Sequence, residues 1–562
     1  MLDAVLPQSG SRKLHIHRDY KFQSKLVYYG LCAKGSFGQS QTRNNGGAMK
    51  LLAILLCLSA YAEDIYVSQS GAGSGLSCAD SRSISWLNTA ANWGGGSGEV
   101  DPGDTVHLCG DITSQIVIQT SGTSGNVITV YFEPGAKMTS PAWPGPSTST
   151  SAGAIVVSKK NYITIDGGSN GVIENTDNGT GLGNQVDSVG VNGNGNSFFV
   201  VKNLTISNIY VRTTGTEQVS AGNAISNTNK SGGAFSNVRF TGNTIHDVGI
   251  GIRNDYDPSG ASDIEIDHNT IYSVNWGANV GSRNTGSTCT RVQFHDNTVY
   301  GFSNWDDTSA SNTFHHNAFF GWASHTSATL TEVDVYSNTI GPGFGLHSTS
   351  GVFFQYFVDA IRIYNNVFIA ALDDYPSNGL VFLDPYSSVP SSHGVYNNTF
   401  IGEGSGTAVG VSLLVDNTQT VTLHCKNNLI SGVATAIAIF SNTGFSGDID
   451  YNLGYNLFVD RPYSYSASSS SSAKTFAQWQ GLGFDVHGLS ADPVLTGSYM
   501  LTAGSPAIGA GANLSSLGIT ALNSDKNGVL RGSSWDLGAL EYAAPPPLTT
   551  TGGMVLRGLT IQ

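Results

Sequence analysis

The sequence predicts an all-β protein, a right-handed parallel β-helix built as a single-stranded solenoid. Three observations carry that expectation. The 562-residue chain has 70 glycines set among apolar runs of strand length, the pattern of short strands and tight turns. A phrase centred on asparagine recurs ten times, at Asn203, Asn243, Asn269, Asn297, Asn317, Asn338, Asn366, Asn398, Asn428 and Asn452. The intervals are 40, 26, 28, 20, 21, 28, 32, 30 and 24 residues, the size of a solenoid repeat with insertions on one side of a fixed coil. Around these asparagines, segments such as IEIDHNTIY alternate apolar and polar residues, which is the strand period. A coil that returns to one corner stacks its asparagines about 4.8 Å apart, so each amide can bond its neighbour and nearby backbone. All ten are therefore expected to form a structural ladder. Leucine-rich repeats share the period but lack the alternation.

Taken in order, residues 1–48 show no helical or strand period and read as a non-native upstream extension. MKLLAILLCLSAYA, residues 49–62, has one charge at Lys50, an apolar core and small residues at Ala60 and Ala62, the layout of a secretory signal peptide. Its apolar core is about half the roughly 20 residues that span a bilayer. The mature chain is expected to begin at Glu63. Without the first 50 residues, Lys plus Arg falls from 26 to 18 and Asp plus Glu from 40 to 38, so the net charge moves from -14 to -20. Nucleic acid is excluded as a partner by that balance, which suits an extracellular or cell-surface protein. Residues 63–160 read as an N-terminal cap and first coils, with GDTVHLCG and VITVYFEPGA as strands; Cys78 and Cys109 flank the early polar segment and can bridge in an oxidising compartment. Residues 161–460 are the β-helix with its ladder. Residues 461–542 hold the C-terminal coils and a closing segment, and residues 543–562 a Pro-rich linker and short tail without a membrane-spanning stretch.

IYVSQSGAGSG, DPGDTVHLCG and the asparagine phrases resemble secreted bacterial pectate-lyase-like β-helix proteins. DPVLTGSYMLTAGSPAIGAGANL (492–514) and SDKNGVLRGSSWDLGALEY (524–542) are similar to the closing, choice-of-anchor-type segment of many such proteins. This resemblance covers residues 64–542 and implies fold and export; the group mixes lyases, hydrolases and proteins without a known reaction.

A narrower resemblance, to alginate and chondroitin lyases of the β-helix type, rests on SNTNKS at 226–231 and GIRND at 251–255. It implies Lys230 as base and Arg253 as the group that stabilises charge in a β-elimination, 23 residues or one coil apart. Asn254 and Asp255 stand where those lyases carry histidine and glycine, and SNTNKS is two residues longer than their phrase. A lysine base needs a lowered pKa, from burial or a neighbouring cation. Asp255, Asp257 and Asp263 in NDYDPSGASD offer hard oxygen ligands for calcium, Ca2+, or form a plain acidic turn. Trp276, Trp305, Trp322, Tyr356 and Tyr375 recur near turns or inserted loops, where flat rings can stack on sugars or pack against coil edges. His246, His268, His295, His315 and His316 read as strand-surface residues. Asp306 with Asp307, and Asp373 with Asp374, are carboxylate pairs of the kind glycosidases use, but the other signatures of polygalacturonases are missing. The expected function is thus action on an extracellular polysaccharide. The competing reading is a non-catalytic adhesin or matrix protein that self-associates end to end through an exposed β-edge.

Overall fold

The computed structural model describes residues 62–543 except 179–185, 214–215, 218–220, 230–231, 258, 306–314, 325–327, 346–349, 357, 375, 377, 386–389, 404–407, 416–419, 442–444, 458–462 and 467–472. The chain forms a right-handed parallel β-helix. Among the described residues 35 strands join one sheet, and coil after coil pairs in parallel register with the next.

Each coil of the central region runs through three faces. The first is made of strands such as Phe235–Thr241, Ala261–Asp267, Thr288–His295, Thr329–Tyr336 and Val358–Tyr364. The chain then turns a corner into a short second face, for example Thr298–Tyr300 and Val367–Ala370. The third face includes Asn317–Ala323, Ser350–Tyr356 and Gly379–Pro385. The long strands Thr244–Asp255 and Thr270–Ser282 bend from the second face into the third without a break. Alternation decides what fills the interior. Ile206, Ile245, Ile271, Val299, Ile340, Phe368, Phe400 and Ile430 stack in register on the second face, and every one is at most 1% exposed. Burying each such side chain contributes about 1.5–3 kcal/mol.

The corner between the first and second faces explains the asparagine phrase. Its leading residue adopts a left-handed conformation in successive coils: Gly242, His268, Asp296, Ser337, Asn365, Asn397, Asn427 and Tyr451 have φ between 47° and 65°. That conformation favours Gly and Asn, whose side chains tolerate it best. The next residue points inward. Asn243, Asn269, Asn297, Asn338, Asn366, Asn398, Asn428 and Asn452 form the ladder. The backbone N–H and Nδ2 of each donate to Oδ1 of the next at 2.9–3.1 Å, and Nδ2 also reaches a carbonyl of the preceding coil. Asp485 terminates it, accepting both donors of Asn452 at 2.8 and 3.1 Å on Oδ1 and Trp479 Nε1 at 2.9 Å on Oδ2. A carboxylate suits that end because it accepts on both oxygens.

Two expected members stand elsewhere. Asn203 is itself the left-handed corner residue (φ 58°), exposed and bonded to Asp166; Leu204 occupies the ladder place, and its N–H donates to Asn243 Oδ1. Asn317 opens a third-face strand opposite Trp276, so one coil of 41 residues joins Asn297 to Asn338.

The ends are closed differently. At the N-terminus, Asp64–Ser68 pairs with Thr105–Cys109, and the excursion between them is tied by a disulfide, Cys78–Cys109. A short helix there, Ile84–Leu87, buries Ile84 and Leu87 under a Ser83 cap. Cys289 and Cys425 are buried free thiols. At the C-terminus, the helix Phe476–Gln480, started by a Thr475 capping box, puts Trp479 against the core. The closing segment then folds back along the ladder corner. Asn365, Asn397 and Asn427 grip it, donating to the carbonyls of Ser524, Asp536 and Ala512 at 2.7, 3.0 and 2.8 Å. Tyr364 and Tyr396 are buried under Leu514, Leu522 and Trp535. Among the described residues no helix is long and apolar enough to cross a membrane.

Candidate functional site

The third face gathers several of the expected site residues. Its outward positions run in register: Ser226, Arg253, Asn279, Phe320, Phe353, Phe382, with Asp255, Gly281, Trp322, Gln355 and Asp384 two residues further on. Arg253 is half-buried. Its Nε and Nη2 reach Asp255 Oδ2 at 2.8 and 2.7 Å, and Asn279 Nδ2 donates to Asp255 Oδ1 at 3.1 Å. The guanidinium is therefore held against the strand and its charge compensated. Lys230 lies outside the described residues. The segment leading to it follows the Arg253 coil, with Asn227 N–H on the Arg253 carbonyl (2.8 Å) and Asn229 N–H on the Asp255 carbonyl (2.9 Å).

Next along the axis is an aromatic strip. Phe320, Phe353 and Phe382 point outward yet are only 5%, 3% and 8% exposed, and they cluster with half-buried Trp276, Trp322 and Leu414. Arg283 lies over the Trp322 ring at 5.6 Å. Trp276 stacks on His315 with centroids 5.3 Å apart. Tyr356 ends the strand Ser350–Tyr356 in a left-handed conformation (φ 67°), 37% exposed. The Trp305 side chain and Tyr375 lie outside the described residues, as do Asp306 and Asp307. Asp373 is exposed, whereas Asp374 is buried and accepts backbone N–H groups of Gly343, Gly345 and Ala371; it shapes a loop.

The three aspartates considered for calcium are not brought together. Asp255 is bound to Arg253. Asp257 accepts from the Ser282 hydroxyl and from the backbone N–H of Arg283 and Asn284. Asp263 faces Arg291 in a bidentate fork at 2.6 and 2.9 Å, which holds its carboxyl below the usual range. Two of the three thus carry an internal cation where a metal would sit. Among the described residues Glu265, Asp267 and His295 do converge, with potential ligand atoms within 4.8 Å of one another. Asp267, however, is taken up by Arg239 at 2.8 and 2.7 Å, by Thr241 and by His268.

That cluster belongs to the first face, where a groove of about 570 Å³ runs across five coils. Left-handed residues Asn237, Asp263, Arg291 and Glu332 form one wall. The other carries Arg239, Glu265, Gln293, Asp334 and Arg362 in register. Arg362 grips Asp334 with both Nε and Nη2 at 2.6 Å. Three ion pairs, Arg239–Glu265, Arg291–Asp263 and Arg362–Asp334, link neighbouring coils of this groove, and of these residues only Asp263 is singled out by the sequence, as a calcium ligand. His315, expected at the strand surface, instead lies in the aromatic strip with its Nδ1 on Asn317 Oδ1, and His316 is fully buried.

The fold and these faces define the class, a right-handed parallel β-helix protein with an aromatic and polar third face. No protein-family model matches the chain, and no curated protein matches it. Among solved structures it is similar to a lacto-N-biosidase from Eubacterium ramulus, at 12% identity and a TM-score of 0.41, over 70% of this chain and 64% of that one, slightly under two thirds of its length. It is also similar to a pectate lyase (13%, TM-score 0.33, 86% of this chain and 97% of that one). A third likeness is to an exopolygalacturonase from Yersinia enterocolitica (11%, TM-score 0.28, 72% and 78%).

Proposed function

We propose that this is a secreted protein that acts on an extracellular polysaccharide along its third face, by β-elimination at Lys230 and Arg253. The observation that carries the reading is the succession, on one face, of the Arg253–Asp255–Asn279 group and the Trp276–Phe320–Trp322 strip. A sugar chain laid along the axis meets hydrogen-bonding groups and aromatic edges in turn. Export is supported by the signal-peptide pattern at residues 49–62 and by the Cys78–Cys109 bridge, which persists in oxidising compartments.

In this mechanism Lys230 removes the proton α to a uronate carboxylate. The electron pair forms the new C=C bond, the glycosidic C–O bond breaks, and the departing oxygen takes up a proton. Arg253 offsets the charge that develops on the carboxylate. Support comes from the hydrogen bonds of Asn227 and Asn229 to the Arg253 coil, since Lys230 is the next residue.

One observation favours a second reading, a glycan-binding protein without turnover: Arg253 is already neutralised by Asp255. Incubating the purified protein with alginates, pectins and glycosaminoglycans, and following the ultraviolet absorbance of unsaturated product, separates the two. Under the lyase reading, Lys230→Ala lowers kcat by about 10²–10⁴-fold and Arg253→Ala by about 10²–10³-fold. Binding to a polymer with no product, by a folded protein, would leave only the second reading.

A further inference from the structure

His315 takes no part in the elimination step, yet it sits in the aromatic strip. Its ring lies on Trp276 with an interplanar angle of 16°. Phe320 and Phe353 meet it edge-on, with centroids at 4.7 and 5.3 Å. Trp276 Nε1 donates to the His315 carbonyl at 2.6 Å, so backbone and ring are both fixed.

The position of its proton follows from Asn317. Nδ2 of Asn317 donates to the Ser350 carbonyl at 2.8 Å. A carbonyl only accepts, so that end of the amide is the nitrogen and the end facing His315 Nδ1 is the oxygen. An oxygen there requires a donor, which places the hydrogen on Nδ1. A neutral imidazole has one ring N–H, so Nε2 holds a lone pair. Burial pushes the histidine down to about 4, which keeps the ring neutral at pH 5–8. Nε2 makes no hydrogen bond to a described residue.

We propose that His315 is a glycan-binding residue whose Nε2 accepts a hydrogen bond from a hydroxyl of a pyranose unit lying against Trp276 and Trp322. A lone pair accepts from a hydroxyl and repels a carboxylate, so the group that a bound unit turns toward Nε2 is a hydroxyl and not its carboxylate. This inference rests on the polysaccharide reading of the third face.

The test measures binding by calorimetry to oligosaccharides of alginate, pectin and glycosaminoglycan and to neutral oligosaccharides of xylan and galactan. For whichever probe the parent binds, His315→Phe, which keeps a flat ring and loses the acceptor, is expected to weaken affinity roughly three- to tenfold. Unchanged affinity in a folded His315→Phe overturns the histidine assignment and leaves the polysaccharide reading standing. A parent that binds none of the probes overturns that reading, and the ligand of His315 with it. Histidine-selective ¹⁵N labelling reads the tautomer in the unaltered protein: a bare Nε2 at neutral pH is expected, and a proton on Nε2 overturns the proposal without any variant.

Discussion

Asp485 shows how one side chain sets a response to pH. It accepts three hydrogen bonds at the end of the ladder, but burial dominates and moves its carboxyl from 3.8 up to about 6. Between about pH 4 and 6 the folded protein therefore holds a proton that the unfolded chain has released. Stability from this group is greatest at the acid end, falls as pH rises through that window and is level above it. Thermal unfolding of Asp485→Asn should show a flatter profile than the parent between pH 4 and 6. The variant should also lose about 1–3 kcal/mol throughout, because an amide cannot accept from both Asn452 and Trp479. Parallel profiles would show that Asp485 does not titrate there. The same scale limits what sequence reading reaches. Eight ladder asparagines were legible because a left-handed residue precedes each one and repeats the phrase. In VKNLTI the asparagine fills the left-handed position itself, a shift of one residue that the phrase does not reveal. In HHNAFF the warning was in the spacing: 20 and 21 residues are two halves of one coil.

At the scale of strands, ion pairs across neighbouring coils differ in worth because their burial differs. Arg239 grips Asp267, whose side chain is fully buried, while Arg291 grips Asp263 with side chains 54% and 39% exposed. Removing Arg239 strands a carboxylate away from water, so Arg239→Met should cost about 3–5 kcal/mol. Arg291→Met should cost about 0–1 kcal/mol. Urea unfolding of the two variants decides the matter, and equal losses would contradict the account. Strand alternation told that each coil has outward-facing residues, but Trp276 and Trp322, expected near turns or inserted loops, stand half-buried within the strands Thr270–Ser282 and Asn317–Ala323. It could not tell which outward residues meet, since that depends on register between coils of unequal length. The adjoining asparagines at 365–366, 397–398 and 427–428 were readable in hindsight: where a second asparagine precedes the ladder residue, the closing segment is docked.

Across the whole molecule, contacts link mainly adjacent coils, so damage should stay local. Reducing Cys78–Cys109, which spans 31 residues, should remove about 3–4 kcal/mol of stability. The loss of hydrogen-exchange protection should be confined to the N-terminal coils, with the Asn366–Asn428 region unchanged. Loss spread evenly along the axis would mean that the coils unfold as one body. The fold class was legible because every coil repeats it, whereas the third-face site was only partly so, because its residues come from different coils. The ladder has one more consequence. Coils range from 24 to 41 residues between rungs, yet each rung closes at the same distance. The longest interval, from Asn297 to Asn338, holds the second-face strand Thr298–Tyr300 and the third-face strand Asn317–Ala323. The rungs thus reset the phase of the chain once per turn, and a difference in length between two coils does not shift the next one. A lineage carrying this frame can lengthen or shorten the segments between rungs while its interior stays untouched.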